Sequence, residues 1–382
     1  MRWGSAASTA PDLAAAVDEA SAVVREALAG AVPDLAVAFV SPHHAAAYAD
    51  LPGLVRAALG GGLLLGCSAG GVIGGGRELE DQPGLSLTAA TLPDVVVTPF
   101  HLDAPARLPV AAGEAPSFIL LPDPFTFDVD ELLHLLDATC PGSSVIGGLA
   151  SGGRAPGANA LYLGQTVHRR GMVGVALTGD VAVDTIVAQG CRPIGEPMFV
   201  TRSERNVIHE LDGRRAGAVL QELYDGSGAD DRALFRQSLF LGIVMREDRQ
   251  EYRHGDFLIR NVMGIDGKTG ALVVSALVRD GMVVQFHLRD ARTSDADLDE
   301  MLERYRGVPA GALLFSCLGR GKQLYGAPDH DTAAFRRRTG EVPLGGFFCN
   351  GEIGPVHGTT YLHGYTSAFG LFRPRRERRG PR

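Results

Sequence analysis

The chain is poor in the features that mark several common protein classes. Its five cysteines are odd in number and include no C-x-x-C, which argues against a disulfide framework and a structural zinc site. H-x-x-x-H pairs and an EF-hand spacing are also missing, so no metal site is expected. No apolar run approaches the roughly 20 residues that a membrane span needs, and Asp12, Asp18 and Glu19 interrupt any leader-like start. These absences lead us to expect a reducing, cytoplasmic setting and no membrane partner. Positive charge is scarce until the end: Arg373 to Arg382 hold six arginines and one glutamate, yet the whole chain carries −8. An acidic body is a poor platform for nucleic acid, whose phosphates are met by clustered Lys and Arg, and none is expected as a partner. The tail, 373–382, lacks aromatics and apolar periodicity and reads as a basic, disordered end.

What the chain has is length, apolar content and glycine. At 382 residues it exceeds what one core serves, so two domains are expected. Hydrophobic residues at 45% and charged residues at 21% suit a globular protein. The 50 glycines cluster at strand ends instead of forming linkers. Three stretches share one pattern, an apolar strand, a helix, and a second strand ending in a glycine-rich turn, with a further strand behind it. The turns read Gly66-Cys67-Ser68-Ala69-Gly70-Gly71, Gly147 to Arg154, and Gly346 to Glu352. Glycine after a buried strand permits close backbone approach, and small polar tips could face one shared cavity.

Around these units the spacing predicts a first helix opened by Pro11-Asp12 and ending at Gly30. Strands are predicted at Leu35–Val40, Leu63–Leu65, Gly84–Thr91, Phe118–Leu121, Val145–Ile146, Ala160–Leu163 and Met172–Leu177. Helices are predicted near 54–59 and 129–137. From Asp184 to Asp290 strands and hairpins surround one helix, Ala216–Tyr224, and Asp225 to Asp231 reads as a polar loop. Met282–Leu288 is expected to pair with Ala271–Val278 through Arg279-Asp280-Gly281. Ser294 and its acidic neighbours are read as capping a helix that runs to Tyr305. The last unit combines strand Ala312–Ser316, a helix near 332–338, strand Gly345–Phe348 and a strand Tyr361–Phe372. The fold class expected is α+β: two domains of mixed β-sheets covered by helices, with repeated β-α-β-β units.

Candidate site residues lie at the turns. Gly66-Cys67-Ser68-Ala69-Gly70 matches G-x-S-x-G, but Gly71 to Gly76 is too glycine-rich to start the helix that a nucleophile elbow requires. Cys67 and Ser68 are therefore read as turn residues or ligand donors, as is Ser151. Cys317 beside Gly319-Arg320-Gly321 is either a small packing residue or a reactive, ligand-facing thiol. Arg154 and Arg320 suit bidentate recognition of a carboxylate, or ion pairing within the protein. Asn350 is a turn residue or a ligand donor. Glu352 would receive an ammonium or pair with Arg320, and the two together would match the ends of an amino acid.

The segments Leu314 to Gly321, Val342 to Pro355, Gly66 to Gly71 and Gly190 to Gly195 together resemble the FIST family (F-box and intracellular signal transduction proteins), over about Leu35 to Phe372. The resemblance implies a FIST N-like sensory domain at 30–210 and a FIST C-like domain at 211–372. It also implies a sensor of small molecules such as amino acids, with no room in this chain for a kinase, cyclase or F-box segment. A separate signalling protein would then carry the output. Some bacterial relatives are thought to bind haem, for which His43, His44, His357 and His363 near strand ends are the available imidazoles. Acyl-transfer or hydrolytic chemistry at Cys317 or Ser68, and a protein-interaction scaffold, are the alternatives from other classes.

Overall fold

The computed structural model describes residues 1–106, 108, 115–246, 251–253 and 255–375. It is an α+β protein of two compact units that are not consecutive in the chain. The larger comprises Met1–Val187, Asp299–Leu362 and Thr366–Arg382; the smaller comprises Ala188–Leu298 with His363–Tyr365. The third repeat belongs to the larger unit.

The larger unit begins with β1 (Arg2–Ser8), α1 (Leu13–Ala27), β2 (Leu35–Val40), α2 (Leu51–Leu59), β3 (Leu63–Ser68), β4 (Gly71–Gly74), β5 (Arg77–Glu80) and β6 (Leu85–Thr91). The second repeat follows as β7 (Val95–Leu102), β8 (Ser117–Pro122), α3 (Val129–Thr139), β9 (Ser144–Gly148), β10 (Leu161–Leu163), β11 (Thr166–His168) and β12 (Met172–Gly179). β13 (Ala182–Ala188) precedes the smaller unit. There the chain forms β14 (Cys191–Glu204), β15 (Val207–Leu211), β16 (Arg214–Arg215), α4 (Ala216–Gly226), α5 (Ala229–Phe235), β17 (Leu239–Val244), β18 (Phe257–Ile265), β19 (Leu272–Val274), β20 (Val283–Arg289) and α6 (Ala291–Arg304). The third repeat is β21 (Gly311–Cys317), α7 (Gly321–Tyr325), α8 (His330–Thr339), β22 (Leu344–Cys349), β23 (Glu352–Val356), β24 (Thr359–His363) and β25 (Ser367–Arg373).

Each repeat builds its sheet around a parallel pair: β2 with β3, β8 with β9, β21 with β22. β2, β8 and β22 are buried along their whole length, as parallel strands covered on both faces must be. The helices cover them with one apolar face. α1 buries Leu13, Val17 and Val24 and is capped by Asp12, which accepts the Ala15 amide at 2.9 Å. α3 buries Leu132, Leu133 and Leu136 behind an Asp128 cap.

The strand after each glycine turn does not stay with its own pair. β4 crosses to β22, β10 to β3, and β23 to β9. The three six-stranded sheets therefore read β1-β6-β2-β3-β10-β11, β7-β12-β8-β9-β23-β24 and β13-β25-β21-β22-β4-β5. Every sheet has the same plan, and each receives its last hairpin from another repeat. The larger unit is a cyclic, three-part assembly closed by exchanged strands. The same bond recurs at each junction: Ser41 to the Gly84 carbonyl and Asp123 to that of Gly171 at 2.9 Å, and Cys317 to that of Thr366 at 3.0 Å.

The repeated units are present as read, with several local differences. β1 and β7 were not read from the sequence: after Trp3, β1 has only small residues, and β7 is a partly exposed strand at a sheet edge. β20 pairs with β14 and β17, not across the Arg279-Asp280-Gly281 turn, while β19 pairs with β18 and β15. α6 starts earlier than Ser294: Asp290 accepts the Thr293 amide at 2.8 Å, and Ser294 donates from within the helix to Gly190. The polar run from Asp225 contains the start of α5, and Tyr361–Phe372 is split into β24 and β25. Arg373, read as tail, ends β25 and grips Asp184 through Nε and Nη2 at 2.6 and 2.9 Å; residues 376–382 of that tail lie outside the described residues. Among the described residues no helix is long and apolar enough to cross a membrane.

Candidate functional site

Register makes Gly66, Gly147 and Gly346 equivalent, facing Ala38, Leu120 and Leu314. A Cβ at each would lie 2.0, 2.0 and 1.9 Å from the carbonyl oxygen opposite, so only glycine fits. Beyond them the three turns meet, and what they meet first is one another. The second donates to the first, Ser151 N to Ser68 O at 3.2 Å; the third donates to the second, Asn350 N to Leu149 O at 3.2 Å. The first and third pair directly, Phe348 with Gly71 in the β22–β4 ladder, and a side chain adds to this: Gly70 N donates to Ser151 Oγ at 2.8 Å, and that hydroxyl donates to the Phe348 carbonyl. Ser151 ties all three turns together.

This assigns most of the sequence candidates to construction. Ser68 is fully buried, donating to Asn159 Oδ1 at 3.1 Å and accepting the Ala160 amide at 3.0 Å. A strand, β4, follows its turn, so the hydroxyl has neither an elbow nor a histidine partner in these bonds. Burial pushes the Cys67 thiol well up. Asn350 is exposed and donates to the Ala150 carbonyl at 3.2 Å. Arg154 is exposed on the loop beyond the second turn. It does not match Arg320, which follows β21; the register partners of Arg320 in the other repeats are His44 and Thr126.

Arg320 is fully buried and clamps Asp331 with Nε at 2.9 Å and Nη2 at 3.0 Å, the latter also reaching Tyr325 OH at 2.6 Å. Burial opposes both charges, but each partner more than offsets it: Asp331 stays well below the usual carboxylate range and Arg320 stays protonated. Arg320 is thus paired inside the protein through Nε and Nη2. Glu352 is also fully buried, accepting the Thr366 amide at 3.0 Å and hydroxyl at 2.8 Å, with the Cys349 thiol at 3.5 Å. Burial pushes its carboxyl up to about 7, against the pull of Thr366 and the Arg320 charge. Cys317, Arg320 and Glu352 are therefore gathered at one end of the β21–β22 pair.

Beside the first turn lies a cavity of about 370 Å³ walled by Gly70, Gly71, Glu80, Asp81, Leu318, Lys322, Gln323 and Phe348. This is within the range of small-molecule sites. Exchange of β4 and β5 into the third sheet creates it, bringing residues of the first repeat against the β21–α7 connection. Leu318 packs where a side chain on Gly70 would go, 2.6 Å from a Cβ there. Glu80 accepts the Lys322 amide at 2.9 Å, and burial raises its carboxyl. Apart from the turn glycines, the sequence reading passed over these wall residues. The alternation Glu78-Leu79-Glu80 behind the first turn was the available signal, since it marks a strand with acidic groups on one face.

A second cavity of about 500 Å³ holds the corresponding place in the next sheet, with Leu149 for Phe348 and the segment Pro124 to Asp130 for the β21–α7 connection; no cation lines it. The smaller unit has one of about 530 Å³ over Ile194, Met198, Val219 and Leu223. None of these three walls includes His, Cys or Tyr.

Family models match the chain in two parts, the FIST N domain over residues 34–214 and the FIST C domain over 216–355. An "uncharacterized protein" of Mycobacterium tuberculosis is 41% identical across 97% of this chain and all of its own length. One of Mycobacterium bovis is 38% identical across 97% of this chain and 99% of its own. An F-box/LRR-repeat protein of Arabidopsis thaliana is 22% identical, over 67% of this chain and 55% of the plant protein.

Proposed function

Because this chain belongs to the FIST family, a family of signal-transduction sensors, we propose that it senses a small zwitterion of the amino-acid type, bound in the cavity beside the first turn. The observation that carries this reading is the make-up of that wall. Two carboxylates, Glu80 and Asp81, and one ammonium, Lys322, line the same small space together with the backbone of Gly70 and Gly71. Such a wall offers opposite charges to the two ends of one short ligand, with Leu318 and Phe348 as apolar surface for its body. The charged pair foreseen in the sequence is replaced here by residues that are not locked to each other as Arg320 and Asp331 are. Occupancy would be passed to a separate signalling protein.

The test is calorimetry with a panel of free amino acids, supported by native mass spectrometry of gently purified protein. Saturable one-to-one binding is expected, weakened at least tenfold by Lys322→Ala and by Glu80→Gln and unchanged by Arg154→Ala. No binding from the whole panel, or binding indifferent to both cavity substitutions, overturns the assignment.

A further inference from the structure

We propose that Cys317 and Cys349 form a dithiol that reduces a hydroperoxide and closes into a disulfide in doing so. The two residues are register partners on the parallel strands β21 and β22. Neighbouring strands run about 4.8 Å apart, and register partners direct their side chains to the same face. That separation lies within the roughly 4.4–6.8 Å between Cα atoms that a disulfide spans.

The surroundings divide the labour between the two thiols. Cys317 is half-buried and Cys349 is buried, so a peroxide in solvent meets Cys317 first. The fully buried Arg320 guanidinium acts electrostatically on Cys317, and the Arg320 amide donates to the Cys317 carbonyl at 2.8 Å. A cation so placed favours the thiolate, the nucleophilic form of cysteine. Arg320 Nη1, itself buried, has no hydrogen-bond partner among the described residues and can face developing negative charge. Behind Cys317, the Cys349 thiol lies 3.5 Å from Glu352 Oε1 and 3.3 Å from the Ser316 carbonyl. Glu352 is thereby placed to take the Cys349 proton.

The chemistry balances with one hydroperoxide, ROOH, as oxidant. The Cys317 thiolate attacks the terminal oxygen; the S–O bond forms as the O–O bond breaks, and the alkoxide leaves as ROH with the proton Cys317 released. Cys349 then attacks the Cys317 sulfur. The S–S bond forms, the S–O bond breaks, and hydroxide leaves as water with the Cys349 proton, relayed by Glu352. Two electrons pass from the dithiol to the peroxide. Cys140 is also half-buried, at the end of α3, and serves as an internal control for mere accessibility.

The experiment treats the full chain with an equimolar alkyl hydroperoxide and follows it by intact mass and peptide mapping. A loss of two hydrogens with a Cys317–Cys349 link is expected, while Cys140 stays reduced. Cys349→Ser should stop at a Cys317 sulfenic acid that dimedone captures. Glu352→Gln, acting through Cys349, should leave the first step intact and slow the second at least tenfold, so that the dimedone adduct accumulates. Oxidation of Cys140 as fast as Cys317, or no 317–349 link in the unaltered chain, overturns the proposal, whatever the variants do. Neither outcome depends on the zwitterion site.

Discussion

Ser151 donates its hydroxyl hydrogen to the carbonyl of Phe348, 197 positions along the chain, while accepting the amide of Gly70. One side chain on the second turn thus reinforces the link that the β4–β22 ladder makes between the first and third. Ser151→Ala should leave a buried carbonyl and an amide without partners. The expected cost is about 1–3 kcal/mol, read as a lowered urea midpoint with an unchanged m-value. A midpoint indistinguishable from the parent would show that the turns hold together without this residue.

The equivalent glycines make a stronger demand. At Gly147 and Gly346 φ is +157° and +154°, and a methyl group would lie 2.0 and 1.9 Å from the opposing carbonyl oxygen. Either Gly→Ala change must push parallel strands apart in the middle of a sheet. Each should cost on the order of 3 kcal/mol or more, whereas Gly157→Ala, in open space although also at positive φ, should cost less. Thermal melts of the three variants decide this, and equal losses at all three would refute the close-approach account.

Much of this architecture was legible because it is local. An all-apolar run such as Leu35–Val40, the Asp12 cap of α1 and the glycine at the end of each second strand report on their own neighbourhoods. The exchange of β4, β10 and β23 between repeats is not local. Nothing in Gly71 to Gly74 says that its partner is β22, because strand pairing depends on which edge is open in the finished fold. The site suffered for the same reason. Polar residues at the turn tips looked available when each turn stood alone. Once the turns bond to one another, Ser68 and Ser151 are occupied, and the cavity wall falls to Glu80, Asp81 and Lys322, which come from segments far apart in sequence.

The buried carboxyl of Glu352 ties stability to pH. Its folded value, about 7, is above the ordinary 4.5. The folded chain holds this proton more tightly than the unfolded chain, so the contribution is fully present below about pH 4.5 and lost as pH rises through about 7. The difference corresponds to about 3 kcal/mol. Glu352→Gln mimics the protonated form and should flatten the decline of unfolding free energy over that interval. Glu78, pushed up to about 8 chiefly by burial and then by Asp331, keeps its own, larger decline in the variant. Urea titrations at pH 5, 6, 7 and 8 measure both; a slope unaltered by the substitution would mean that Glu352 ionises freely in the fold.

Arg320 and Asp331 form a pair in which both charges are removed from water, with Ser316 and Ser367 adding their hydroxyls to the carboxylate. Two charges so placed stabilise little relative to a well-packed apolar pair, but one without the other is an uncompensated buried ion. Arg320→Met alone should therefore cost about 3–5 kcal/mol. Arg320→Met with Asp331→Leu should recover a large part of that loss, although the two serine hydroxyls forfeit their acceptor. The double-mutant cycle in urea at pH 7 separates this from simple loss of packing, in which the two changes would add. Additivity, or a cost below about 1 kcal/mol for Arg320→Met, would show that water reaches the guanidinium and that the clamp is not what fixes the β21–α8 end of the fold.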